Sequence, residues 1–235
     1  MKKVAVLGAT GAVGRQMLEC LIERDFPCEI KCLASARSAG KVIECLGRSF
    51  VVEEATHDSF AGMDIVLGAA SNALAKEMAP HIKAAGAIFV DNSSAFRLHS
   101  DVPLVVPEIN PEDVNWHNGI IANPNCSTII MLVPIWPIHK ANRIQRVVVS
   151  TYQAVSGAGY QAMLELEQQT RDVLAGKKAE AKVLPHITAF NLFSHNSKVT
   201  DNGYNEEEVK MVNETHKIFH DSEIQVVPTC VRVPV

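Results

Sequence analysis

The chain has 235 residues, 47% of them apolar and 20% charged, enough to bury one or two globular cores and unlike the composition of a disordered protein. Its 22 Lys and Arg against 26 Asp and Glu leave a formal net charge of −4, which excludes a general attraction to nucleic acid or to an anionic membrane. The first apolar run is broken at Gly8, too early for a signal segment or a membrane span, and the six cysteines lack paired zinc spacing, so a cytoplasmic protein with free thiols and no metal site is expected.

Residues 2–8 read as a buried strand, and residues 13–24 as an amphipathic helix with Val13, Met17, Leu18, Leu21 and Ile22 on one side. Between them runs Gly8-Ala9-Thr10-Gly11-Ala12-Val13-Gly14, a G-x-x-G-x-x-G variant of the dinucleotide fingerprint. Such a loop lets the backbone approach a pyrophosphate seated on the helix N-terminus, although a plain strand-ending turn is the alternative. Residues 29–35 form the next strand, which runs into Ala34-Ser35-Ala36-Arg37-Ser38. An NAD site usually carries an acid there for the ribose 2′-hydroxyl. Arg37 between Ser35 and Ser38 suits a 2′-phosphate instead, so NADP is expected; an ordinary solvated arginine is the competing reading. Residues 41–53 read as two short strands about Gly47, 64–68 and 87–91 as strands, and 72–85 as a helix stopped by Gly86. This βαβ rhythm predicts an α/β domain with a doubly wound, mainly parallel sheet.

Residues 119–122 are again strand-like, and Asn123-Pro124-Asn125-Cys126-Ser127-Thr128 then turns the chain into an apolar helix reaching about residue 140, where Pro134 and Pro137 are expected to kink or end it. A thiol at a helix N-terminus meets unpaired N–H groups and the positive end of the dipole. Both favour thiolate, and those N–H groups can bind an oxyanion on an attached acyl group. Cys126 is thus the candidate nucleophile, whereas the other cysteines read as packing. Residues 143–155 read as a strand, 158–175 as a helix, 177–200 as irregular, 206–220 as a helix and 224–235 as a strand. The pattern predicts an α+β domain, with the boundary near Asn125 and domains at residues 1–125 and 126–235.

Five stretches, in order from residue 2 to 235, together resemble the aspartate-semialdehyde dehydrogenases. They are the residue 8–14 loop; Asp91-Asn92-Ser93-Ser94-Ala95-Phe96-Arg97 leading to Pro107-Glu108-Ile109-Asn110; residues 123–128; Tyr152-Gln153-Ala154-Val155-Ser156-Gly157-Ala158-Gly159; and Glu206-Glu207-Glu208-Val209-Lys210-Met211 followed by Val231-Arg232-Val233-Pro234-Val235. The resemblance implies a Rossmann-type nucleotide domain followed by an α+β catalytic and dimerisation domain. It also implies NADPH-dependent reductive dephosphorylation of L-aspartyl 4-phosphate to L-aspartate 4-semialdehyde, on the route to lysine, diaminopimelate, threonine and methionine. By the same analogy Cys126 carries an acyl-thioester and Gln153 orients substrate beside it. Arg97, Asn125 and Lys210 hold phosphate, Glu207 the ammonium and Arg232 the α-carboxylate, while Ser156 and Gly157 lie against the cofactor. A homodimer or larger homo-oligomer is expected.

The charges suit such a substrate independently, because a phosphate and a carboxylate need cations and an ammonium needs an anion. Taken singly, Glu207 and Lys210 also fit an i,i+3 helix pair, and Arg232 an edge charge. Two departures stand out. Gly68-Ala69-Ala70-Ser71-Asn72 lacks the paired glycines many relatives carry, and the sequence stops where relatives continue toward a general-base histidine. None of the nine histidines, His57, His139, His186, His195 and His216 among them, matches that position, and each reads as a surface or core group. The chain is therefore expected to be the N-terminal part of a longer enzyme and inactive alone. The rivals are an N-acetyl-γ-glutamyl-phosphate reductase, whose acylated amine needs no partner such as Glu207, and a catalytically dead nucleotide-binding paralogue.

Overall fold

The computed structural model describes every residue from Met1 to Val235, in two compact units, Met1–Pro124 and Asn125–Val235.

In the first unit, β1 (Lys2–Leu7) leads through the glycine loop into α1 (Ala12–Glu23) and β2 (Cys28–Ala34). A hairpin follows, β3 (Val42–Cys45) and β4 (Arg48–Glu54), then β5 (Ile65–Gly68), α2 (Asn72–Ala84), β6 (Ile88–Asp91) and β7 (Ile120–Ala122). The sheet order is β3-β4-β2-β1-β5-β6-β7, parallel throughout except for the β3–β4 hairpin. Leu46 and Gly47 both take positive φ, 46° and 77°, the two-residue turn whose twist matches the flanking strands. The chain leaves β1 for β2 on one side and continues to β5 on the other, so the order reverses at the glycine loop, where open α/β sheets bind ligands. Leu18 is fully buried, and Met17, Leu21 and Ile22 pack beside it against Val6, Cys32, Ile43 and Val52. Val13, expected on that apolar side, is instead 46% exposed in the first turn of α1.

The second unit starts with α3 (Cys126–Ala141), followed by β8 (Arg146–Gln153), a 3-10 turn (Val155–Ala158), α4 (Tyr160–Leu174), the short β9 (Phe193–Ser194), α5 (Glu206–Phe219) and β10 (Gln225–Arg232). β10 pairs in parallel with β8 and antiparallel with β9, while α5 packs on β10 and α3 on α5. Pro134 and Pro137 do not end α3. Both are exposed, so the carbonyls they leave unbonded, at Ile130 and Val133, can be met by water. The irregular stretch is fastened to α4. Glu165 accepts the N–H groups of Lys182, Val183 and Leu184, and one turn on, buried Gln169 accepts those of Thr188 and Ala189 and donates to Glu180 O. Strands β8 and β10 end earlier than expected, yet the chain beyond them stays paired, Val233 N–H on Gln153 O and Val155 N–H on Val235 O.

Candidate active site

Cys126 is the first residue of α3, exposed, with Asn125 as its N-cap. Asn125 Oδ1 accepts the N–H groups of Ser127 at 2.9 Å and Thr128 at 3.3 Å. The helix end is therefore less open than expected. Two of its donors are consumed by the cap, and the N–H of Cys126 itself remains for an oxyanion. Asn125 is in turn fixed by α5, its own N–H to Glu214 Oε2 at 2.6 Å and its Nδ2 to Glu207 Oε1 at 2.8 Å.

Glu207, 5% exposed, is the hub of the site. Gln153 Nε2 reaches the same Oε1 at 3.0 Å, and Lys210 Nζ reaches Oε2 at 3.3 Å. Burial by itself raises this carboxyl. The Asn125 amide, Lys210, His195 and Gln153 outweigh it and hold the group below its ordinary value, so it is an anion at neutral pH. The i,i+3 pair with Lys210 is thus present, inside a larger network. Gln153 Oε1 accepts from Thr151 Oγ1 at 3.1 Å, which orients its amide toward Glu207.

Arg232 ends β10 and is 4% exposed. It is no edge charge. Its donors go to Asn196 Oδ1 at 3.0 Å, to the Ala154 carbonyl at 2.8 Å and to His195 Nε2 at 2.9 Å. Burial lowers its pKa, partly offset by the negative charge of Glu207. Gly157 lies against the guanidinium, where an added Cβ would stand 3.2 Å from Nη1, and Ser156 is exposed beside it. Asn125, Cys126, Gln153, Glu207, Lys210 and Arg232 thus fall within one unit.

His195 reads in the sequence as an ordinary histidine, whereas the structure puts it against Arg232, 37 residues away in sequence. Nothing in an irregular polar stretch signals that contact. Glu214 is a further site residue, and the sequence carries a signal for it. It lies seven residues from Glu207, on the face of α5 that buries Met211 and Ile218, and an acid on an apolar face needs a partner.

In the first unit, the glycine loop fits a pyrophosphate. Gly8 has φ +88°, and a Cβ on Gly14 would meet Gly8 O at 2.3 Å, so only glycine allows α1 to pack so closely on the loop. Gly11 caps α1 without any side-chain hydrogen bond, leaving first-turn donors beside Ala12 and Val13 for an anion, with Thr10 half-buried next to them. After β2, Ser35 and Arg37 are exposed, and Arg37 has no hydrogen bond or ion pair of its own; Ser38 is turned inward and buried. Arg97 is buried and donates to the carbonyls of Ser93 at 3.0 Å and Asn92 at 2.9 Å. No helix is long and apolar enough to cross a membrane.

Residues 3–117 match the family model described as semialdehyde dehydrogenase, NAD binding domain, and residues 135–235 the one described as semialdehyde dehydrogenase, dimerisation domain. The aspartate-semialdehyde dehydrogenase of Synechocystis sp. is 55% identical over 99% of this chain and 69% of its own length; that of Bacillus subtilis is 48% identical over 99% and 69%. Among solved structures, aspartate semialdehyde dehydrogenase II of Vibrio cholerae, complexed with ASA, superposes over all of this chain and 71% of its own with TM-score 0.96 at 47% identity. The Candida albicans aspartate semialdehyde dehydrogenase with NADP covers all of this chain and 68% of its own, with TM-score 0.74 at 27% identity. The nucleotide loop, the capped thiol and the buried charges of the second unit lie on a chain that belongs to the aspartate-semialdehyde dehydrogenase family.

Proposed function

We propose that the chain belongs to an enzyme that makes L-aspartate 4-semialdehyde from L-aspartyl 4-phosphate through a thioester on Cys126, using NADP(H), in the synthesis of the amino acids derived from aspartate. The observation that carries this is the Asn125 amide, which caps the helix bearing Cys126 and also bonds to Glu207. It fixes the nucleophile relative to the anion that would receive the substrate's ammonium.

The Cys126 thiolate attacks the acyl carbon, the oxyanion is met by the N–H of Cys126, and phosphate leaves as the thioester forms. NADPH, when bound, supplies the hydride that reduces the thioester. Collapse of the resulting thiohemiacetal returns the thiolate and frees the aldehyde. Glu207 takes the ammonium and Arg232 the α-carboxylate, and Gln153, held by Thr151, orients the acyl group. Lys210 and the second amide hydrogen of Asn125 serve phosphate. Arg97 belongs to the nucleotide unit, and its assignment to phosphate rests on the likeness of its motif. The glycine loop receives the pyrophosphate, Ser35 and Arg37 the 2′-phosphate, and Ser156 and Gly157 are assigned to the cofactor by the same likeness. An N-acetylated substrate would bring no ammonium to Glu207 and leave Lys210 as its one cation, which disfavours an N-acetyl-γ-glutamyl-phosphate reductase. The outer face of the β8–β10 sheet, with Val148 71%, Tyr152 72% and Val227 38% exposed, supports a homodimer.

Incubation with aspartyl phosphate in the absence of NADPH tests the chemistry. Intact-protein and peptide mass spectrometry should find an aspartyl adduct on Cys126 and none in Cys126→Ala. An adduct elsewhere, or NADPH oxidation by Cys126→Ala, would overturn the reading.

A further inference from the structure

Arg232 is buried, yet no carboxylate holds it. Its three donor atoms meet Asn196 Oδ1, the Ala154 carbonyl and His195 Nε2, all uncharged acceptors. A resident Asp or Glu would neutralise the guanidinium before a ligand arrived. Neutral acceptors fix its plane and leave its charge to an incoming anion.

The His195 contact dictates a tautomer. A guanidinium can only donate, so Nε2 must present its lone pair, and the ring proton of the neutral imidazole then sits on Nδ1. Nδ1 has an acceptor in place, Ser197 Oγ at 3.0 Å. The N–H of Ser197 also points at Nδ1, 3.2 Å away, and this tautomer sets it against the ring proton; the shorter contact to the Arg232 cation, at 2.9 Å, outweighs that neutral repulsion. Ser197 Oγ also accepts the N–H of Glu207 at 3.1 Å and donates to Asn205 Oδ1 at 3.4 Å, and Asn205 caps α5 by accepting Glu208 N–H at 3.0 Å. The hydroxyl thereby uses both lone pairs and its proton. The opposite tautomer would set an imidazole N–H against a guanidinium N–H.

We propose that His195, in its neutral Nδ1–H form, is a positioning residue that holds the Arg232 guanidinium for a substrate carboxylate and ties it through Ser197 to the N-terminus of α5. This rests on the reading of Arg232 given above. Protonation would turn Nε2 into a donor facing a cation and release Arg232. Burial opposes protonation, as do Arg232 and Lys210 against the pull of Glu207 and Glu208, and the imidazole is pushed down to about 4.

Two measurements on the full-length enzyme to which this chain belongs test it. Long-range ¹H–¹⁵N spectra of histidine-labelled protein at about pH 6 should show His195 neutral with its proton on Nδ1. A proton on Nε2, or an imidazolium at that pH, overturns the proposal. In kinetics, His195→Ala should raise KM for aspartate semialdehyde about tenfold, the loss of one hydrogen bond to a charged group, with kcat less affected. His195→Gln, which keeps an acceptor, should recover most of it. KM for 3-aminopropanal, which has the aldehyde and ammonium without the carboxylate, should not move. Equal rises for both aldehydes, or no rise for either, overturn the proposal. An enzyme that turns over neither aldehyde counts against the proposed function instead, and the tautomer, which needs no turnover, then decides the role of His195.

Discussion

Gln153 and Arg232 are register partners, the last residues of the parallel strands β8 and β10. Side by side on the backbone, they serve opposite charges. Gln153 donates to the Glu207 carboxylate, and Arg232 is held by the neutral acceptors Ala154 O, Asn196 and His195. One pair of strand ends thus sets an anion and a cation at one edge of the sheet, the arrangement an α-amino acid substrate requires. A crossover through α4 and α5 is what makes the two strands parallel and brings both ends to the same side.

Cofactor choice should depend on Arg37. It is exposed and unpaired, and no acid ends β2, so NADPH should bind more tightly than NADH. Arg37→Ala should remove about 1.5–3 kcal/mol of that preference, a partly exposed Arg–phosphate contact. Fluorescence titration giving equal affinities for both cofactors in the unsubstituted protein would refute the assignment.

The glycines of the loop should separate into two classes. Gly14→Ala forces a Cβ to 2.3 Å from Gly8 O and 2.7 Å from Ala9 Cα, both backbone, and should cost about 1–3 kcal/mol of stability as overpacking. Gly11→Ala meets nothing closer than 3.4 Å and should unfold near the parent midpoint while weakening nucleotide binding, because its surface faces the ligand. Urea midpoints for the two variants that coincide would contradict this division.

Thiol reactivity gives a third test. Burial raises Cys32 and Cys230 to about 11, and raises Cys28 and Cys45 as well. Cys126 and Cys20 are both exposed, but Cys126 opens α3 whereas Cys20 lies in the last turns of α1, at the negative end of its dipole. A limiting dose of iodoacetamide at neutral pH should label Cys126 first. Peptide mapping with Cys20 ahead would mean that the helix end does not activate the thiol.

Much of the nucleotide unit is legible in sequence because its strands and helices alternate, each with its own apolar period, and glycine marks where backbones touch. Cys126 is legible because one local motif sets both its cap and its place at a helix end. The environment of Arg232 is not. Asn196 and His195 come from a stretch with no periodicity, whose course is set by Glu165 and Gln169 bonding to its backbone from α4. Those contacts depend on tertiary position alone. Residues 177–200 therefore read as irregular, which holds apart from the two-residue β9, while hiding both side-chain partners of Arg232.

Acid should destabilise the fold in two separable windows. His195 is held down to about 4 from an ordinary 6.5, so the unfolded chain binds a proton that the folded one refuses. Stability attributable to this group therefore falls as pH drops from about 6.5 to about 4, and is flat below. Glu207 is a depressed carboxyl; its contribution is complete above its ordinary 4.5 and is lost only as pH falls through its lower folded value. Urea midpoints at about pH 7 and about pH 5 should fall less in His195→Gln than in the parent, while Glu207→Gln should keep the parental drop across that interval and flatten only the more acid one. A parental drop retained in His195→Gln would mean that other groups titrate in the upper window and that His195 already accepts a proton near its ordinary value in the folded protein.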